Sequence, residues 1–95
     1  MRERAEEMRR CYVTVTGRVQ GVGMRWACVQ EAERAGVSGW VRNLHDGRVE
    51  AVLEGEEQAV DTVLRWLYTG PPGARVESVD VQVEEPQGEA GFTVR

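Results

Sequence analysis

The sequence is poor in the residues that build covalent staples, metal centres and membrane anchors. Of its 95 residues, two are cysteine, Cys11 and Cys28, and one is histidine, His45. Two thiols are too few for a disulfide scaffold and lack metal-ligand spacing, and a single imidazole offers no cluster for a transition metal. Reduced, buried thiols are the expectation. No apolar run approaches the roughly 20 residues that span a bilayer, so no membrane association is expected. Met1 to Arg10 alternate acid and base with no hydrophobic segment behind them, which argues against a secretory signal and for the cytoplasm. Basic charge is not in excess either. The formal net charge is −4, and nonspecific affinity for DNA or RNA comes mainly from neutralising phosphates, so a nucleic-acid partner is not expected. A local basic site for a small anion stays open, because net charge says little about one pocket.

What is present fits one soluble globular domain: 41% hydrophobic and 29% charged residues, with no repeat, linker or low-complexity tract. Residues 1–9 read as a charged extension, a frayed turn that is dispensable, and residues 10–95 as a single domain. Cys11, Val13 and Val15 alternate with Tyr12, Thr14 and Thr16, the pattern of a half-buried first strand. Gly17, Gly21 and Gly23 then punctuate a loop. A helix over 23–35 carries Met24, Cys28, Ala32 and Ala35 on one side, and Gly36 stops it. Residues 38–44 predict a second strand, Asp46-Gly47 a hairpin turn, and 48–54 a third strand. A second helix over 56–68 opens with Glu56 and Glu57, which suit its positive end. After the break at Gly70-Pro71-Pro72-Gly73, Val79, Val81 and Val83 mark a fourth strand, and 91–95 a short fifth at an edge.

Two helices at this spacing can cover one face of a sheet. The economical arrangement is α+β: a ferredoxin-like βαββαβ plait, an antiparallel sheet with both helices on one face and a short fifth edge strand. Right-handed crossovers place strand three between strands one and two. The first two strands are then parallel, and the loop after one lies beside Asn43 at the end of the other. Their backbones should stand about 10 Å apart, twice the interstrand spacing.

The loop is Gly17-Arg18-Val19-Gln20-Gly21-Val22-Gly23-Met24-Arg25. A glycine-rich turn entering a helix aims free backbone N–H groups at one point, and Arg25 falls in the first helical turn, where its fork matches two phosphate oxygens. Better-known phosphate motifs fail. The Gly-Lys-Ser/Thr ending is missing, Trp26 stands where a dinucleotide fingerprint needs glycine, and Val19 stands where a thiol phosphatase needs its cysteine. No Ser, Cys or His in the loop can act as a covalent nucleophile. From composition alone, three glycines that only turn the chain tightly, beside a solvated arginine, fit equally well.

The segment Gly17 to Arg25, GRVQGVGMR, resembles the signature of the acylphosphatase family, and Gly39 to Glu50, GWVRNLHDGRVE, resembles its second signature. The ending GFTVR is also similar, and the likeness runs from Tyr12 onward. It implies the plait reached above and hydrolysis of an acyl phosphate to a carboxylate and inorganic phosphate, without a metal or cofactor. It implies Arg25 as the phosphate-binding arginine, Asn43 as the residue that positions the attacking water, and the backbone of Arg18, Val19, Gln20, Gly21, Val22, Gly23 and Met24 as the cradle. The implied partners are a small-molecule acyl phosphate and inorganic phosphate or a similar anion in the loop, taken up by a monomer. Met24 departs from the Phe usual there but keeps an apolar plug under the loop.

Other residues carry ordinary readings. His45 sits at a hairpin tip, where exposed polar residues are routine. Arg42 alternates away from Asn43 and belongs to a solvated or salt-bridged face, whereas Arg18 at the loop mouth can steer anions. Trp26 and Trp40 are candidates for the acyl side, though large aromatics at such places commonly pack. Two competing functions remain: a noncatalytic anion-binding module on the same plait, and an RNA-binding plait. The latter needs exposed aromatics on its central strands, and RVEAVLE offers none.

Overall fold

The alternation that marks the first strand extends further than its apolar residues do. In the computed structural model, which describes residues 7–95, β1 spans Met8–Arg18. It includes Arg9 and Arg10 at one end and Gly17 and Arg18 at the other, so the boundary expected at residue 10 falls inside a strand. Residues 1–6, the rest of the expected extension, lie outside the described residues. The remaining elements keep the expected order: α1 Met24–Ala35, β2 Ser38–Asn43, β3 Val49–Glu56, α2 Glu57–Leu67, β4 Arg75–Glu84 and β5 Phe92–Val94.

The sheet order is β4-β1-β3-β2-β5, with β3 between β1 and β2 as right-handed crossovers require. The register pairs Cys11 with Leu53, Val13 with Ala51 and Val15 with Val49, and Val41 lies opposite Ala51. These side chains share one face. They form the core with Met24, Cys28 and Ala32 of α1 and Val60, Val63 and Leu67 of α2. Helix α1 packs on β2 and β5, and α2 on β1 and β3. Asn43, two residues beyond Val41, points to the helical face as well, at the end of β2.

Two features differ from the alternation. The four long strands are antiparallel to their neighbours, but β5 joins β2 in parallel, from Gly39↔Phe92 to Val41↔Val94. The chain leaves β4 at one edge, reverses and returns at the other edge, so its direction there matches that of β2. Val79, Val81 and Val83 face the helical side opposite Val15, Val13 and Cys11. Both helices lie over the other strands, so Val83 remains 72% exposed.

The opposite face carries charge. The buried Glu54 carboxylate accepts hydrogen bonds from the backbone N–H of Gln87 at 3.0 Å, Gly88 at 2.7 Å and Glu89 at 3.3 Å. Arg10 donates to the same carboxylate at 3.0 Å and reaches Glu84 and Glu89, each at 2.9 Å. Burial pushes the Glu54 carboxyl up, but these donors outweigh it and hold it below the ordinary value. This clamp pins the connection between β4 and β5 across the sheet. The last strand is fastened by Gly39 N–H to the Gly91 carbonyl at 2.8 Å and by Arg95 N–H to the Val41 carbonyl at 2.9 Å.

Candidate active site

Residues 19–23 leave β1 and turn into α1. Val19 is fully buried and anchors the turn to the core, and Met24, the first helical residue, is buried as well. Gln20 fixes the other side. Its Nε2 donates to the carbonyls of Leu44 at 2.8 Å and Arg48 at 2.9 Å, at the two ends of the hairpin that follows Asn43. One side chain therefore ties the loop to the β2–β3 hairpin.

The start of α1 is arranged against the usual helix rules. Gly23 occupies the N-cap with φ 81°, a left-handed conformation that favours glycine, and no side chain caps the helix. The first turn holds no acidic residue and carries Arg25 instead. A cation at the positive end of a helix dipole costs about 0.3–1 kcal/mol. Arg25 is exposed and forms no ion pair with any described residue. The start of α1 thus combines N–H groups that no side chain caps with a guanidinium that pairs with no described residue.

Asn43 supplies a second unmet group. Its Oδ1 is buried without a hydrogen-bond partner among the described residues. Such an orphan costs about 1–3 kcal/mol, so its retention requires a reason. It lines the same cleft, of about 320 Å³, as Val19, Gln20, Gly21, Gly23, Met24 and Arg25. Seven of the nine residues expected at the site thus border one cavity. Arg18 and Val22 do not border it: Arg18 ends β1 as an exposed side chain opposite Arg75, and Val22 packs against the core.

The lining carries one cation and two side-chain amides, with no thiol, hydroxyl, imidazole or carboxylate among its side chains. Both thiols lie in the core, where burial raises Cys11 and pushes Cys28 up to about 12. Neither is a thiolate at neutral pH. His45 is exposed on the hairpin, outside the lining. Arg42 pairs with Glu50, which also accepts from the Tyr12 hydroxyl, on the sheet face away from the cleft. Burial pushes the Glu50 carboxyl up, but the Tyr12 and Arg42 hydrogen bonds bring it below its ordinary value. Trp40 is buried on that face, with the Arg42 and Arg95 guanidinium carbons 5.3 and 4.6 Å from its ring centroid.

Of the two remaining lining residues, Trp26 was a candidate for the acyl side and Val94 was not expected at the site. Trp26 is 67% exposed, and Val94 is 46% exposed on β5. For Trp26 the signal was its place next to Arg25 in the first turn. Val94 carries no local signal, because it reaches the cleft only through the pairing of β5 with β2.

Comparison with known proteins places relatives along nearly the whole chain. A model of the acylphosphatase family matches residues 11–94. The chain is 58% identical over 94 residues to an acylphosphatase of Rubrobacter xylanophilus, covering 98% of this chain and 86% of that protein. The solved structure of an acylphosphatase from Coxiella burnetii superposes with a TM-score of 0.89 at 38% identity, over 93% of each chain. That of Bacillus subtilis acylphosphatase gives 0.89 at 33% identity, over 94% of this chain and 99% of its own.

Proposed function

The chain belongs to the acylphosphatase family, and from that premise we propose how its cleft hydrolyses an acyl phosphate. The reaction cleaves the carboxyl–phosphate bond to give a carboxylate and inorganic phosphate. An acyl phosphate is a mixed anhydride whose leaving carboxylate is weakly basic, so departure needs no general acid. A loose phosphoryl-transfer transition state needs charge stabilisation on its equatorial oxygens and an in-line nucleophile. Arg25 and the backbone amides of the loop residues that line the cleft, Gln20, Gly21, Gly23 and Met24 among them, supply the first as a preorganised cradle. Asn43 supplies the second: its Oδ1 accepts a hydrogen bond from water and turns the oxygen lone pair toward phosphorus. The water oxygen–phosphorus bond forms as the phosphorus–acyl oxygen bond breaks, the electron pair leaves on the carboxylate, and a phosphoryl oxygen takes the water proton.

The observation that carries this reading is one cleft lined both by the buried Asn43 Oδ1, which has no hydrogen-bond partner among the described residues, and by the exposed Arg25, which forms no ion pair among them. Two buried free thiols fit a reducing compartment such as the cytoplasm. A metal-free reaction is consistent with a lining that has no carboxylate, thiol or imidazole. The test is hydrolysis of acetyl phosphate in excess chelator. Arg25→Ala should lose at least about 10²–10³ in kcat and lose competitive inhibition by phosphate. Asn43→Ala should lose about 10² in kcat and keep that inhibition. A full rate in Asn43→Ala would remove the water-positioning role, and a chelator-dependent wild-type rate would remove the metal-free reading.

A further inference from the structure

The cleft is larger than its chemistry requires. A phosphoryl group and one water fill at most roughly 150 Å³ if each of their five heavy atoms takes up to one water's share of liquid volume, ~30 Å³. The cavity measures about 320 Å³. The surplus is space for the acyl half, and the residues left to line it have one character. Arg25 and Asn43 are assigned to the phosphoryl group and the water, and the Gln20 amide nitrogen is spent on the hairpin carbonyls. Val19 and Met24 are buried and present almost no surface. What faces solvent is the Trp26 indole, 67% exposed, and the Val94 side chain, 46% exposed. Trp26 stands in the first turn of α1, and helical side chains lean toward the N-terminus, which carries the ring toward the cradle.

We propose that Trp26 and Val94 form the acyl subsite, and that the preferred substrates carry apolar acyl groups, aromatic or medium-length alkyl. This inference rests on the function proposed above. The lining offers no second cation to pair with an acyl half bearing its own phosphate or carboxylate, and no uncommitted acid to hold an amine. An aromatic face does recognise a ring or chain, and aromatic contacts of this kind are worth a factor of several in affinity. The subsite is open on one side, so the preference should appear in KM and leave kcat nearly unchanged.

The experiment compares benzoyl phosphate with acetyl phosphate on the intact protein and on Trp26→Ala, Trp26→Phe and Val94→Ser. The wild type should show a KM for benzoyl phosphate about 10-fold below that for acetyl phosphate. Trp26→Ala should raise the benzoyl phosphate KM about 5- to 10-fold and move that for acetyl phosphate less than about 2-fold, with Trp26→Phe restoring most of the difference. Val94→Ser should shift the same KM in the same direction by less. Equal KM values for both substrates in the wild type, or equal changes for both in Trp26→Ala, would overturn the acyl subsite while leaving the phosphoryl mechanism intact. Absence of turnover of either substrate by the wild type would overturn the functional reading beneath it.

Discussion

Arg25 and Asn43 each occupy a position that folding alone disfavours, one a cation at a helix N-terminus and the other a buried amide oxygen without a donor. Conflicts of this kind concentrate where function outweighs stability. Removing them should therefore separate the two properties. Asn43→Ala should lose activity while its urea midpoint stays level or rises by the equivalent of up to about 1 kcal/mol, because the orphaned oxygen is gone. A clear drop in the midpoint would mean that Asn43 is structural. Cys28 gives the opposite contrast, a titratable group that the chemistry leaves unused. Burial holds its thiol at about 12 in the folded chain, whereas an unfolded cysteine ionises near 8.5. The folded state thus binds the extra proton, and stability contributed below the unfolded value is lost as pH rises through this window. The slope is about 1.4 kcal/mol per pH unit for one group. Cys28→Ala should flatten the fall in urea midpoint between pH 9 and 11, and an unchanged slope would place the loss elsewhere.

At the scale of elements, local pattern shows where apolar faces lie but not what makes a charged segment fold. Val13, Val15, Ala51 and Leu53 alternate, so β1 and β3 could be read directly from the residues. Met8 to Arg10 could not. Arg9 is drawn into the strand by Glu57 and by Asp61 at 3.1 Å, and Arg10 by Glu54, Glu84 and Glu89, all distant in sequence. The loop and Asn43 were readable because parallel β1 and β2 bring their ends together, but the Gln20 tether is a contact between a side chain and distant backbone that no periodicity encodes. Gln20→Leu should leave the fold intact and lower kcat about 10-fold, since a small misplacement between cradle and water is costly. An unaltered kcat would show that the hairpin holds its place without the tether. The Glu54 clamp makes a prediction about acid. Its carboxyl lies below the ordinary value, so its contribution is present above about pH 4.3 and is lost as pH falls through the folded value. Glu54→Ala leaves Arg10 its pairs with Glu84 and Glu89 but takes the acceptor from the Gln87, Gly88 and Glu89 N–H groups, and should cost about 1–3 kcal/mol at pH 7, a penalty that narrows toward pH 3 in urea titrations. A penalty constant with pH would assign the loss to packing.

For the whole molecule, the cleft exists only when the chain is folded. Its lining comes from seven residues between Val19 and Trp26 together with Asn43 and Val94, brought together by a sheet whose order differs from the chain order. A ligand of the cleft therefore binds the folded state alone and stabilises it by mass action. Inorganic phosphate at 100 times its dissociation constant should add about 2.7 kcal/mol. For a chain of this length each kcal/mol raises the midpoint by roughly 4–8 °C, so a rise of about 10–20 °C is expected. Sodium chloride at matched ionic strength separates this from screening. The chain is acidic overall, with a net charge of −4, so a general salt effect acts on its surface and a phosphate effect acts through the cradle. Arg25→Ala should abolish the phosphate-specific part and retain the chloride response, whereas Trp26→Ala should keep both, because the indole touches the acyl half and not the anion. A phosphate shift of equal size in Arg25→Ala would place the anion elsewhere on the molecule, whatever the catalytic rates of the variants.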